Sequence, residues 1–251
     1  MRELRIFWGV GLLLFAAVCT RVSGQSVVAV EGFHPGDSVP AACLTAERSG
    51  RFFAVGPLPD SVFAFMQGKS YPAGCPVPRA SLRYLTCLYK DIQGTVWVGE
   101  MVVHASIADD VLRVFRRLYA EGYPIERMRL VDYYGASDEA SMRANNTSCF
   151  NFRFISGTRK VSKHGQGMAI DINPLYNPCF RLSPVDGRVL AETVEPSTAR
   201  PYTDRTRPFP YKIVKGDLCW HLFRQYGFVW GGAWRSRKDY QHFERVIASG
   251  S

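Results

Sequence analysis

The feature that most constrains the fold is a change of apolar period in the middle of the chain. Residues 82–89 and 95–103 mix apolar and polar positions in rough alternation on either side of the turn-prone pair Gln93-Gly94, the pattern of a β-hairpin. From 108 to 121 the apolar residues Val111, Leu112, Val114, Phe115 and Leu118 instead recur at helical spacing, and Gly122 with Pro124 closes that segment. A chain holding both periods, without regular strand-helix-strand alternation, is α+β: a single domain with an antiparallel sheet flanked by helices.

Weaker signals extend this outline. Residues 130–134 predict a short strand, 135–148 a polar connection, and the alternating Phe150, Phe152 and Phe154 another strand. Residues 168–172 predict a strand that Asn173-Pro174 terminates, after which Pro-rich sequence runs to Pro210. A helix is expected over 216–226, with Asp217 as N-cap and Gly227 as stop, and a last strand over 240–246. Residues 25–80, rich in Gly, Pro and Ser, predict an irregular segment that wraps a domain spanning 81–251.

The first residues bear on location. Arg2 and Arg5 precede an uncharged apolar run from Ile6 to Val18, followed by Arg21 and the small residues Ser23 and Gly24, which is the order of a secretory signal peptide over 1–24. The alternative, an uncleaved membrane anchor, is disfavoured because the run is shorter than the ~20 residues a spanning helix needs, so no stable membrane span is expected in the mature chain. Lipidation at Cys19 is disfavoured by Val18 before it. An exported protein, in the periplasm or the extracellular envelope, makes nucleic acid an improbable partner. The surplus of 31 Lys and Arg over 22 Asp and Glu then suits an anionic wall polymer. Beyond Cys19 the chain carries Cys43, Cys75, Cys87, Cys149, Cys179 and Cys219, an even number for which disulfides are expected in that compartment.

Two segments carry the chemistry. His164 is followed by Gly165, Gly167, Ala169 and Asp171; in a strand over 168–172, Asp171 projects on the face opposite Ile170 and Ile172. His242 follows Asp239 by three residues, behind Trp230-Gly231-Gly232. Two histidines and an aspartate can hold zinc and leave a fourth position for a water that the ion acidifies, while a nearby carboxylate takes the proton.

The wording of these segments is more specific than their spacing. Ser162-Lys163-His164-Gly165-Gln166-Gly167-Met168-Ala169-Ile170-Asp171 resembles the S-x-H-x-x-G-x-A-x-D motif of the D-alanyl-D-alanine carboxypeptidase family of zinc peptidases, which includes VanY-type and VanX-type enzymes and endolysins that cut between L-Ala and D-Glu. Asp239-Tyr240-Gln241-His242 resembles the family's second motif, D/E-x-x-H. The resemblance implies zinc as cofactor, held by His164, Asp171 and His242, with Asp239 as general base. It implies that Ser162 contacts substrate. Arg153 is the candidate cation for the scissile carbonyl oxygen or a substrate carboxylate, with Arg143 and Arg205 as alternatives. The implied function is hydrolysis of a peptide bond in peptidoglycan stem peptides, as a D-Ala-D-Ala carboxypeptidase or an L-Ala-D-Glu endopeptidase. The alternative is a non-catalytic zinc-containing binding domain of the cell envelope, against which the spare carboxylate of Asp239 argues. His34, His104 and His221 stand outside any motif. The basic run at 235–238 is by default a solvated loop that could also attract an anionic substrate.

Overall fold

The computed structural model describes residues 29–155, 157–185, 188–235 and 237–246. The expected signal peptide and Cys19 lie outside them. Before the hairpin come α1 (Ala46–Arg51), strand β1 (Ala54–Pro57) and α2 (Asp60–Met66). The segment expected to be irregular is better organised than its composition suggests. β1 pairs with the hairpin, Phe52 and Phe53 enter the main core, and Val62 and Met66 of α2 are buried in a second cluster.

The hairpin is β2 (Leu82–Lys90) and β3 (Val96–His104), paired without interruption from Leu82 opposite His104 to Lys90 opposite Val96. Helix α3 (Ala108–Ala120) follows, with Asp109 and Asp110 in its first turn, where the helix dipole favours acids. Val111, Val114, Phe115 and Leu118 form its buried stripe, in one core with Leu85, Leu88, Val98 and Val103 of the hairpin.

Past α3 the chain makes short elements only. β4 (Arg127–Met128) and β5 (Asn146–Thr147) form a two-stranded parallel pair, with α4 (Asp138–Arg143) between them in sequence. The strand expected over 130–134 is a 3-10 turn, Val131–Tyr134, closed by Gly135 in the left-handed region at φ 65°. The polar stretch after it, read as a connection, holds α4, capped by Ser137 on the N–H of Ala140. Phe150, Phe152 and Phe154 have no strand ladder; among the described residues only the bridge of Phe154 with Val161 joins them to another segment in β fashion.

β6 (Ala169–Asp171) runs antiparallel to the last strand. The Pro-rich stretch contains a hairpin that the sequence did not reveal, β7 (Cys179–Val185) with β8 (Arg188–Glu195). Helix α5 (Leu218–Gln225) is where it was expected, its first turn capped by Asp217 accepting from the Trp220 N–H at 2.7 Å. β9 (Val229–Trp230), β10 (Arg237–Asp239) and β11 (His242–Glu244) complete the chain. The architecture is α+β, with three small antiparallel sheets ordered β1-β2-β3, β6-β11-β9 and β10-β7-β8 rather than one large one.

Aromatic packing ties the sheets together. Phe223 of α5 meets Phe115 of α3 edge-on at 6.4 Å and stacks on Phe243 of β11 at 4.4 Å. Phe243 is fully buried, which contributes roughly 1.5–3 kcal/mol of hydrophobic stabilisation and fixes which face of β11 turns inward. The expectation of disulfides is corrected: Cys43, Cys75, Cys87, Cys149, Cys179 and Cys219 are all free. Four of them are buried: Cys87, with its sulfur against Met128, Cys149 and Cys219 act as small apolar side chains of the main core, whereas the Cys179 sulfur accepts from Arg237 Nε. Among the described residues no helix is long and apolar enough to cross a membrane.

Candidate metal centre and cleft

His164, Asp171 and His242 arrive from a turn and two neighbouring strands. His164 opens a 3-10 turn, His164–Gln166, that Gly167 closes at φ 68°. A Cβ at Gly167 would lie 2.8 Å from the His104 backbone nitrogen, and the Gly167 carbonyl accepts from that same N–H at 2.8 Å. Glycine is therefore required twice here, for the backbone angle and for the close approach to β3. β6 then carries Asp171 directly opposite His242 of β11. Because side chains alternate along a strand, His242 and Glu244 share the face opposite Phe243.

The three side chains converge on one point. His164 Nε2 lies 3.1 Å from His242 Nδ1 and 3.3 Å from Asp171 Oδ1, and His242 Nδ1 lies 3.2 Å from the same oxygen. A tetrahedral ion at the usual zinc distances holds its ligand atoms about 3.3 Å apart, so this donor set fits zinc without rearrangement. The outer nitrogens agree. His164 Nδ1 is 2.8 Å from the carbonyl oxygen of Cys149, which can only accept, so the proton is on Nδ1 and the lone pair of Nε2 faces inward. His242 Nε2 is 3.0 Å from Glu244 Oε2 and donates to it, which turns Nδ1 inward. Such outer partners are the usual companions of metal-bound imidazoles.

The electrostatics call for a cation. Burial alone would raise the Asp171 carboxyl, but the two histidines outweigh it and hold it well below the usual carboxylate range. Burial alone would lower His242, but its bonds to Asp171 and Glu244 push it up to about 10. In the absence of a metal the centre thus keeps a proton where an ion would otherwise sit.

Asp239, at the end of β10, stands beside these residues. It is buried, its carboxyl is raised by that burial and by the charge of Asp171 against the opposing pull of His242, and its Oδ1 has no hydrogen-bond partner among the described residues. Gly231 lies directly beneath: a Cβ there would be 2.7 Å from the Asp239 carbonyl oxygen and 3.3 Å from the His242 Cβ. The Trp234 ring covers His242 at 5.3 Å.

A cleft of about 630 Å³ opens onto this cluster. Ser162, Arg153, Asp239 and the three convergent residues all line it, so the candidates read from the sequence meet in one place. Ser162 Oγ accepts from the Gly165 N–H at 2.9 Å, and its own hydroxyl hydrogen remains available to a ligand. Arg153 sits at the lip, its Nε 2.7 Å from Asp138 Oδ2. The two alternative arginines do not line this cleft: Arg143 is exposed at the end of α4. Arg205 spends its guanidinium on the carbonyls of Tyr176 and Ile213 and on Asn177 Oδ1. Residues the sequence did not single out are Glu244, the Cys149 carbonyl, and Gln241, whose buried Oε1 is unpartnered among the described residues.

No curated protein and no solved structure matches this chain. The stretch from 156 to 245, which contains His164, Asp171, Asp239 and His242 but not Arg153, matches the model of the family described as D-alanyl-D-alanine carboxypeptidase, a zinc peptidase family.

Proposed function

We propose that this protein is a zinc-dependent peptidase that hydrolyses a peptide bond in the stem peptides of peptidoglycan, acting after export to the cell envelope. The observation that carries the reading is the convergence of His164, Asp171 and His242, with mutual ligand-atom distances of 3.1–3.3 Å, beside the unpartnered buried oxygen of Asp239. Zinc held there supplies Lewis acidity that polarises a scissile carbonyl and lowers the pKa of an attacking water.

The chain's own residues supply the remainder. Asp239 takes the proton of the attacking water and returns it to the leaving amine, a task suited to a carboxyl whose proton affinity is raised by burial. Arg153, with Nε tied to Asp138 and Nη1 donating to the Asn151 carbonyl, offers its remaining guanidinium hydrogens to the carbonyl oxygen or to a substrate carboxylate. Ser162 donates its hydroxyl to the substrate end. Trp234 shields His242 from water on the cleft side. A spare buried carboxylate has no use in a purely structural zinc site, and that favours catalysis over the binding-domain alternative.

The test is mass spectrometry of the pentapeptide L-Ala-D-Glu-diaminopimelate-D-Ala-D-Ala incubated with zinc-loaded protein and with a chelated control. Loss of the terminal D-Ala makes it a carboxypeptidase, and cleavage after L-Ala makes it an endopeptidase. No metal-dependent product from protein that does bind zinc refutes the peptidase reading for this substrate.

A further inference from the structure

We infer that Glu244 is a positioning residue for the metal centre: its carboxylate holds the Nε2–H of His242, fixes Nδ1 as the inward-facing atom and sets the affinity of the site for zinc. The inference rests on the zinc reading above and deepens it.

In β11 the side chains of His242 and Glu244 lie two residues apart on one face, which brings Glu244 Oε2 to 3.0 Å from His242 Nε2. The Glu244 side chain is only 20% exposed, so this contact is partly shielded from water. The two histidines are held differently: His164 by a backbone carbonyl, His242 by a carboxyl side chain. A carboxylate partner both orients an imidazole and raises its basicity as a ligand.

The experiment is a zinc Kd measured by competition with a chromogenic chelator, a readout that does not depend on turnover. Glu244→Ala is expected to weaken zinc binding by about 10–100-fold. Glu244→Gln keeps an oxygen acceptor without the charge and is expected to fall between Ala and the parent protein. Glu195→Gln removes one charge from the same cleft without touching a histidine, and is expected to leave the Kd unchanged. An unchanged Kd in Glu244→Ala overturns the inference. So does an equal loss in Glu195→Gln, because that would make the effect one of overall cleft charge. If far-UV circular dichroism shows that the Ala variant does not fold, the Gln variant decides: a Kd equal to that of the parent overturns the assignment. A parent protein that binds no zinc overturns the reading of the centre itself, and that failure is visible before any substitution.

Discussion

Replacing Gly231 with Ala adds one methyl group beneath the site and substitutes none of the side chains assigned a chemical role. The added Cβ would lie 2.7 Å from the Asp239 carbonyl oxygen, 2.8 Å from the Asp239 Cβ and 3.3 Å from the His242 Cβ. Non-bonded carbon atoms prefer about 3.5–4.0 Å, so the turn carrying Asp239 and His242 has to recede by roughly 1 Å. All three atoms are a backbone oxygen or a Cβ, and rotation of a flexible side chain cannot relieve the contacts. Overpacking of this kind destabilises by about 1–3 kcal/mol. For a domain of this size each kcal/mol lowers Tm by about 2–4 °C, which predicts a fall of roughly 2–12 °C in a thermal unfolding scan. Misplacement of a catalytic group by about 1 Å lowers turnover by about a hundredfold, which predicts a loss of stem-peptide hydrolysis out of proportion to the loss of stability. Gly56→Ala in β1, where a Cβ meets nothing within 4 Å, is the control and should leave both quantities unchanged or raise Tm slightly. A Gly231→Ala protein with parental Tm and parental turnover would show that the turn yields freely and that the placement of Asp239 does not depend on it.

Two further expectations concern the charges. Asp239→Asn removes the proton acceptor while leaving the three convergent ligand atoms in place, so zinc Kd should hold while turnover falls by about 10²–10⁴-fold; His242→Ala should lose both, and full activity in Asp239→Asn would refute the assignment of the base. In chelator-treated protein His242 has a folded pKa of about 10 against 6.5 when unfolded, so its protonation stabilises fully below pH 6.5 and this contribution is lost as pH rises through 10. The Tm of the metal-free protein should therefore decline from pH 6.5 to 10 more steeply than that of His242→Asn, and parallel declines would count against the charged centre.

What could be read from the sequence follows from how much of each element's burial is local. Helices α3 and α5 were legible because each buries one stripe whose period of 3.6 stands in the residue order, and the β2–β3 hairpin, buried on both faces, because its two apolar runs flank the turn pair Gln93-Gly94. The six-residue α4 was not, because it buries only Ser141 and leaves no apolar stripe to recognise. Phe150, Phe152 and Phe154 alternate like a strand yet serve aromatic contacts, Phe150 with Tyr71 and Phe152 with Phe154, which a period cannot distinguish from a ladder. The β7–β8 hairpin was hidden by Pro184 within β7, a residue that usually argues against a strand; β10 pairs with β7 only over Cys179–Arg181, so Pro184 has β8 alone beside it, as at a sheet edge. At the site, the motif wording pointed to His164, Asp171, Asp239 and His242, and these meet in one cleft. The Cys149 carbonyl was beyond reach, since any residue offers one. Glu244 was within reach: a carboxylate two places after a histidine in a predicted strand shares its face.

The convergence of ligands is finally a matter of strand register, and the register is held by the core rather than by the site. Asp171 and His242 are opposite one another in the β6–β11 pair, where side chains directly across from each other are about 4.5–5.5 Å apart at Cβ. A slip of one residue would set Gln241 or Phe243 against Asp171 and turn the imidazole to the far face. What opposes the slip is Phe243, stacked on Phe223 at 4.4 Å and on Trp230 at 6.4 Å, with Ile170 buried beside it in the same core. Moving it would expose a large apolar side chain and bury an imidazole and a carboxylate without partners, each a penalty of several kcal/mol. The apolar residue between His242 and Glu244 thus helps to place the candidate metal ligands on one side of the strand.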